Sequence, residues 1–215
     1  MKKIVALFTS VLLLFIYSCD KADNTYENGN NSSEKIASKP VSNRSINGGV
    51  NLQCIGSCDC AFGFDLKTGK GECTCSPCAF EIKFETINDR TLSEEDKNIL
   101  KDNLFNSELF QYAIEDIKKY AIEKYNFNLD VFKKIELYHN DGTDVVIFSF
   151  LDNENNLQSV LYSRSNTISK AFRVDCTGGF ECREQYNFNT NTASCSCSDC
   201  SMTVTEIKDL TINPS

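Results

Sequence analysis

The chain has 215 residues, of which 41% are hydrophobic, 24% charged and 11% aromatic, a composition within the range of globular domains and outside that of disordered or collagenous chains. Its formal net charge of −8 argues against a nucleic-acid partner, because neutralising phosphates takes clustered Lys and Arg. One histidine, His139, and no Trp leave few ways to build a histidine metal site or a Ser-His-Asp triad.

At the N-terminus, Met1-Lys2-Lys3 precedes an apolar run from Ile4 to Tyr17. The run is too short for a transmembrane helix of about 20 residues and reads as a signal peptide over 1–18. Its end, Ile16-Tyr17-Ser18-Cys19, resembles the lipobox of bacterial lipoproteins, with an aliphatic residue three places before the cysteine and a small one directly before it. The resemblance implies cleavage ahead of Cys19, which then carries a diacylglyceryl thioether and an N-acyl chain such as palmitate. Several acyl chains at about 0.8 kcal/mol per buried CH₂ are enough for stable anchoring. Loss of Lys2 and Lys3 with the leader leaves 20 Lys+Arg against 30 Asp+Glu, a mature charge of −10. Asp20 and the richness in Asn, Lys and Ile resemble Bacteroidetes-like lipoproteins, which implies the cell envelope, and the outer membrane rather than the inner. Cys19 and the polar segment to residue 49 read as a flexible tether with a span of roughly 30 Å.

Eleven cysteines remain after Cys19, in two blocks related by one offset of 122 residues. Cys54, Cys60, Cys73, Cys75 and Cys78 match Cys176, Cys182, Cys195, Cys197 and Cys200, and Gly56, Phe64 and Ser76 match Gly178, Tyr186 and Ser198. Five coincident cysteines point to a duplicated module, predicted at 50–80 and 175–215. Within each block the alternation of Phe62, Phe64 and Leu66, or of Tyr186 and Phe188, runs into turn-forming residues, the pattern of a β-hairpin. A hairpin closing near its middle sets Cys60 opposite Cys73 and Cys182 opposite Cys195, with Cys75 and Cys197 as the rival partners.

Export to an oxidising compartment makes disulfides the expected use of these cysteines. Two other chemistries compete. Four thiolates, Cys60, Cys73, Cys75 and Cys78, repeated by Cys182, Cys195, Cys197 and Cys200, have the number for a tetrahedral Zn²⁺ site. Cys75-Ser76-Pro77-Cys78 has the C-x-x-C form of thiol-disulfide oxidoreductases. Parity adds a constraint: five matched cysteines per block are all bridged only if one bridge joins the blocks. Cys58, opposite Phe180 in the repeat, is then left with a free thiol; alternatively the six cysteines of the first block pair among themselves and one in the second stays free.

Between the blocks, over 81–174, Ser93-Glu94-Glu95-Asp96 resembles a capping box and predicts a helix from Ser93. Ser107 caps a second, in which Phe110, Ala113, Ile114, Ile117 and Ala121 form an apolar stripe. Period-two segments then follow at Phe132 to His139, Asp144 to Leu151, Leu157 to Ser163 and Thr167 to Val174, separated by short turns, with Phe80 to Thr86 as a further edge strand. The predicted fold is α+β, a helical pair on an antiparallel meander, flanked by the two cysteine-rich hairpin modules. His139, in register with Ile135 and Leu137, reads as a structural histidine. The acidic clusters Glu94-Glu95-Asp96 and Asp152-Asn153-Glu154 suit a helix N-terminus and a hairpin tip.

No P-loop, dinucleotide glycine pattern, H-E-x-x-H or G-x-S-x-G occurs, so no catalytic residues and no cofactor or bound metal are expected. The expected function is that of a lipid-anchored envelope protein with a disulfide-bonded binding or structural role. Its expected partners are the membrane, through the anchor, and a protein or cell-surface ligand. An extracytoplasmic thiol-disulfide oxidoreductase and a thiolate metal-binding lipoprotein are the alternatives.

Overall fold

The computed structural model describes residues 45–56, 60–87, 91–166, 170–178, 182–196, 199–208 and 210, all within the unit Pro40–Ser215. The expected leader, Cys19 and the tether as far as residue 44 lie outside the described residues, as do Cys58 and Cys197. In chain order the elements are β1 (Gly48–Ile55), β2 (Phe62–Asp65), β3 (Lys70–Cys73), β4 (Ala79–Glu85), α1 (Glu94–Phe105), α2 (Glu108–Tyr125), β5 (Lys134–Asn140), β6 (Thr143–Leu151), β7 (Leu157–Ser165), β8 (Lys170–Thr177), β9 (Glu184–Asn187), β10 (Thr192–Cys195) and β11 (Ser201–Ile207).

Both helices begin where the caps predict. Ser93 Oγ accepts a hydrogen bond from the Asp96 N–H at 3.1 Å, and Ser107 Oγ accepts one from Phe110 N–H at 3.2 Å. Glu94, Glu95 and Asp96 occupy the first turn of α1, where the helix dipole favours negative charge. The stripe of α2 is buried from Leu109 to Ala121, and the helix stops at Asn126, whose left-handed conformation (φ 54°) ends the hydrogen-bond ladder.

The meander β5 to β8 forms as predicted, but it is the middle of a larger sheet. Seven antiparallel strands run in the order β11-β8-β7-β6-β5-β1-β4. The expected edge strand is β4, which reaches the meander only through β1. The predicted boundaries at 80/81 and 174/175 fall inside β4 and β8, so the cysteine-rich segments share the central sheet instead of flanking it as separate modules. The end of the expected tether is also structured. Gly48 and Gly49 belong to β1, and Ile46 is buried.

Side-chain alternation divides the sheet into two faces. On the helix side, Val50, Leu52, Ile135, Leu137, Val146, Phe148, Phe150, Val160 and Tyr162 pack with α1, α2 and Phe62 in the main core. On the far side Tyr138, Val145, Ile147, Leu161 and Val174 form a smaller cluster covered by Tyr186, Phe188 and Ala193 of the β9–β10 pair. The two short ladders therefore lie on opposite faces: β2–β3 beside the helices, β9–β10 on the surface the helices leave open. Phe62 anchors the first by exchanging two 2.8 Å backbone hydrogen bonds with Phe132.

Candidate functional site

Among the described residues the cysteines meet in four disulfides, each within a block: Cys54–Cys73, Cys60–Cys75, Cys176–Cys195 and Cys182–Cys200. The expected Cys60–Cys73 and Cys182–Cys195 pairs are thus corrected, and the turns explain why. Asp65 accepts hydrogen bonds at its carboxylate from Lys67 N–H and Thr68 Oγ1, and at its carbonyl from Gly69 N–H. Gly69 takes the left-handed conformation the turn requires (φ +64°). This closes the hairpin between Asp65 and Lys70 and sets Phe62, not Cys60, opposite Cys73. Cys73 is then within reach of Cys54 at the end of β1, and Cys60 meets its rival partner Cys75. In the second ladder Asn187 Oδ1 accepts from Asn189 and Thr190 N–H, Asn191 takes the positive φ (50°), and Glu184 stands opposite Cys195.

None of these four disulfides joins the two blocks, and Cys197, like Cys58, lies outside the described residues. The expected free thiol of Cys58 lies outside the described residues. Of the four proposed zinc ligands, Cys73 is bonded to Cys54, while the sulfurs of Cys60, Cys75 and Cys78 lie within 4.8 Å of one another and those of Cys75 and Cys78 are 3.7 Å apart.

His139 holds partners at both ring nitrogens: Asp144 Oδ1 at 2.7 Å from Nδ1 and Ser45 Oγ at 2.6 Å from Nε2. Together with paired contacts between Asn47 and Asp141 it fastens the segment entering β1 to the end of the sheet. Asp152 closes the β6–β7 turn. Burial pushes its carboxyl up, but the N–H groups of Asn156 and Glu154 and the side chains of Gln158 and Asn156 outweigh that and hold it below the ordinary range.

A groove that the sequence did not reveal lies on the far face. Its volume is about 740 Å³, and it is lined by Glu85, Thr86 and Ile87 beyond and at the end of β4, Glu136 and Tyr138 of β5, Ile147 of β6, residues 184–189 of β9 and its turn, and Ser194 of β10. Its volume is within the range of small-molecule sites. Three features shape it. Gly49, directly opposite Tyr138, has no side chain; a Cβ there would sit 2.2 Å from the ring, so glycine is what lets the tyrosine lie across β1. Phe188 packs on Tyr138 with ring centroids 4.7 Å apart and on Tyr186 at 5.0 Å, which joins wall to floor. Buried Glu184 secures the wall to the sheet, accepting from the Cys176 N–H at 2.6 Å and from the Ser159 hydroxyl. Burial pushes its carboxyl pKa up, against the lowering effect of those two donors.

At the other end of the groove floor, the Tyr138 hydroxyl is 3.0 Å from Glu85 Oε2, 3.1 Å from Glu136 Oε1 and 3.3 Å from Asn51 Oδ1. Asn51 Nδ2 donates to Glu85 Oε1, and Lys134 Nζ sits 2.8 Å from Glu136 Oε1. Burial, followed by the charges of Glu136 and Glu85, holds the Tyr138 phenol above its ordinary range, so it stays protonated. The groove combines an aromatic wall with carboxylates and amides, and the pair of disulfides at Cys176–Cys195 and Cys182–Cys200 staples the hairpin that builds it. No family model, no curated protein and no solved structure matches the chain.

Proposed function

We propose that this chain is a lipid-anchored cell-envelope protein that binds a ligand in the groove between the β9–β10 hairpin and the far face of the sheet. The observation that carries the binding role is that groove, with its floor of Glu136, Tyr138 and Ile147 and its disulfide-stapled wall. Four disulfides suit an oxidising compartment, in keeping with the signal peptide and lipobox read at Ile16 to Cys19. The outer membrane is the proposed location, with Cys19 as the lipidated residue and the polar segment after it as the spacer.

The two cysteine-rich segments are proposed to descend from one duplicated unit of strand, hairpin and returning strand. Beyond the cysteines, the 122-residue offset also relates the turn residues Asp65 and Asn187, and Gly69 and Asn191. β1 and β8 run in the same direction, and their return strands β4 and β11 lie on opposite sides of them. A rotation about an axis along the strands relates such units, and that rotation exchanges the faces of the sheet. One chiral unit used at both edges therefore puts one hairpin beside the helices and the other on the far face.

Labelled palmitate and membrane fractionation test the anchor. Wild-type protein incorporates label and sediments with the envelope, whereas Cys19→Ala does neither; incorporation into Cys19→Ala would overturn the assignment. The convergence of Cys60, Cys75 and Cys78 favours one second reading, a thiol centre that exchanges disulfides or, once reduced, holds a metal. Intact mass after alkylation of protein purified from the envelope separates the two, because a reactive Cys75/Cys78 dithiol supports the thiol centre and full protection supports the staple.

A further inference from the structure

We infer that the groove takes a small aliphatic amine, with a primary ammonium seated between Glu85 and Glu136 and its carbon stem along Tyr186, Phe188 and Ile147. The inference rests on the groove being the binding site and specifies its ligand class.

The argument is a count of donors. Around the Tyr138 hydroxyl stand three acceptors, Glu85 Oε2, Glu136 Oε1 and Asn51 Oδ1, and a phenol has one proton to give. Asn51 supplies one amide N–H to Glu85, and Lys134 supplies Glu136 from outside the lining. Among the described residues the cluster therefore holds more acceptor capacity than nearby donors. A ligand that covers its open side must bring N–H or O–H groups to those acceptors.

Charge then chooses among donors. Among the described residues the lining contains Glu85, Glu136 and Glu184 and no Lys, Arg or His. Glu184 is buried with its own donors, and Lys134 offsets part of Glu136, so Glu85 keeps the charge least compensated by protein groups. A cation is favoured over a neutral hydroxyl there, and an anion is repelled. The geometry suits an ammonium. Glu85 Oε2 and Glu136 Oε1 are each about 3 Å from one hydroxyl oxygen, which places them no more than about 6 Å from each other. A single nitrogen with three N–H donors bridges such a pair, at N···O distances near 2.8 Å, when the two oxygens stand within about 5.6 Å of each other. The neighbouring rings of Tyr186 and Phe188 favour a cation at their faces and an apolar stem along their edges. The volume restricts the occupant to a small molecule.

Titration calorimetry on the full mature protein, disulfides intact, with 1,6-diaminohexane and its neutral counterpart 1,6-hexanediol, isolates the ammonium groups because the stems are identical. The diamine is expected to bind at least tenfold more tightly than the diol, with affinity that falls as salt rises. The double substitution Glu85→Gln and Glu136→Gln is expected to weaken the diamine at least tenfold while leaving the diol unchanged. Equal affinity for the two probes would overturn the cation while sparing the groove as a site. Binding of neither, with tyrosine near-ultraviolet dichroism intact, would remove both; lipidation of Cys19 is read separately by mass. If the double variant does not fold, the comparison of the two probes on wild type decides the matter alone.

Discussion

Replacing Phe62 by Ala tests whether the first hairpin is wedged into the main core or merely held beside it by its disulfides. Phe62 has no exposed surface, its ring lies 5.2 Å from Phe80 and 6.4 Å from Phe132, and its backbone makes the isolated bridge to Phe132. The disulfides leave this contact set untouched, since Cys54–Cys73 and Cys60–Cys75 close the hairpin on either side of it. Removing a buried phenyl loses transfer free energy and leaves a cavity among rings that cannot collapse far, about 3 to 5 kcal/mol. For a folded unit of this size each kcal/mol lowers the midpoint by about 2 to 4 °C, so the oxidised variant is expected to melt about 6 to 20 °C below wild type. The matched control is Phe188→Ala on the far face. Phe188 is only half-buried, and its loss is expected to cost about 1 to 2 kcal/mol. Thermal unfolding followed by far-ultraviolet dichroism under non-reducing conditions gives both numbers. A Phe62→Ala protein that melts within 2 °C of wild type, or above Phe188→Ala, would refute the reasoning and make the disulfides alone responsible for holding the hairpin.

Three further outcomes follow from the structure. Removing the Cys176–Cys195 bridge as a double Ala variant opens a loop with a separation of 19 residues, for which chain entropy gives a loss of roughly 3 kcal/mol; hydrogen exchange should show the released protection concentrated in β9 and β10, and a uniform increase across the sheet would contradict it. Glu184 has a raised carboxyl pKa in the fold, so the native state binds its proton more tightly than the unfolded chain does. Its contribution is most favourable below the ordinary value of 4.5 and is lost as pH rises through the raised folded value; urea midpoints of Glu184→Gln should fall less than wild type over that interval, and parallel curves would sink the assignment. Ser45→Ala removes the partner of His139 Nε2 and should cost about 1 kcal/mol, with faster exchange confined to the amides entering β1; unchanged exchange there would mean the contact does not hold the segment.

The parts of this fold that local chemistry controls were legible in the chain. Ser93 and Ser107 mark helix starts because a side-chain oxygen three residues ahead of a free N–H caps it wherever the helix goes. The meander from β5 to β8 was legible because alternation and short turns leave one pairing for consecutive strands. β1 was not. Gly48-Gly49 resembles the end of a linker, and its place between β4 and β5 depends on two pairings with strands distant in the chain, of which Val50 and Leu52 bear no local trace. The cysteine partners were legible as two equivalent blocks but not as pairs. A shift of the turn by one residue at its centre, made by Asp65 and Gly69, moves Cys73 from Cys60 to Phe62, and only docking β1 alongside brings Cys54 within bonding distance. The groove was beyond reach for the same reason on a larger scale. Glu85, Glu136, Tyr138, Ile147 and Glu184 come from four strands and are separated by up to 99 residues of chain. Each obeys only its own strand's alternation, and they converge because the second hairpin folds back over the one face of the sheet that no helix covers.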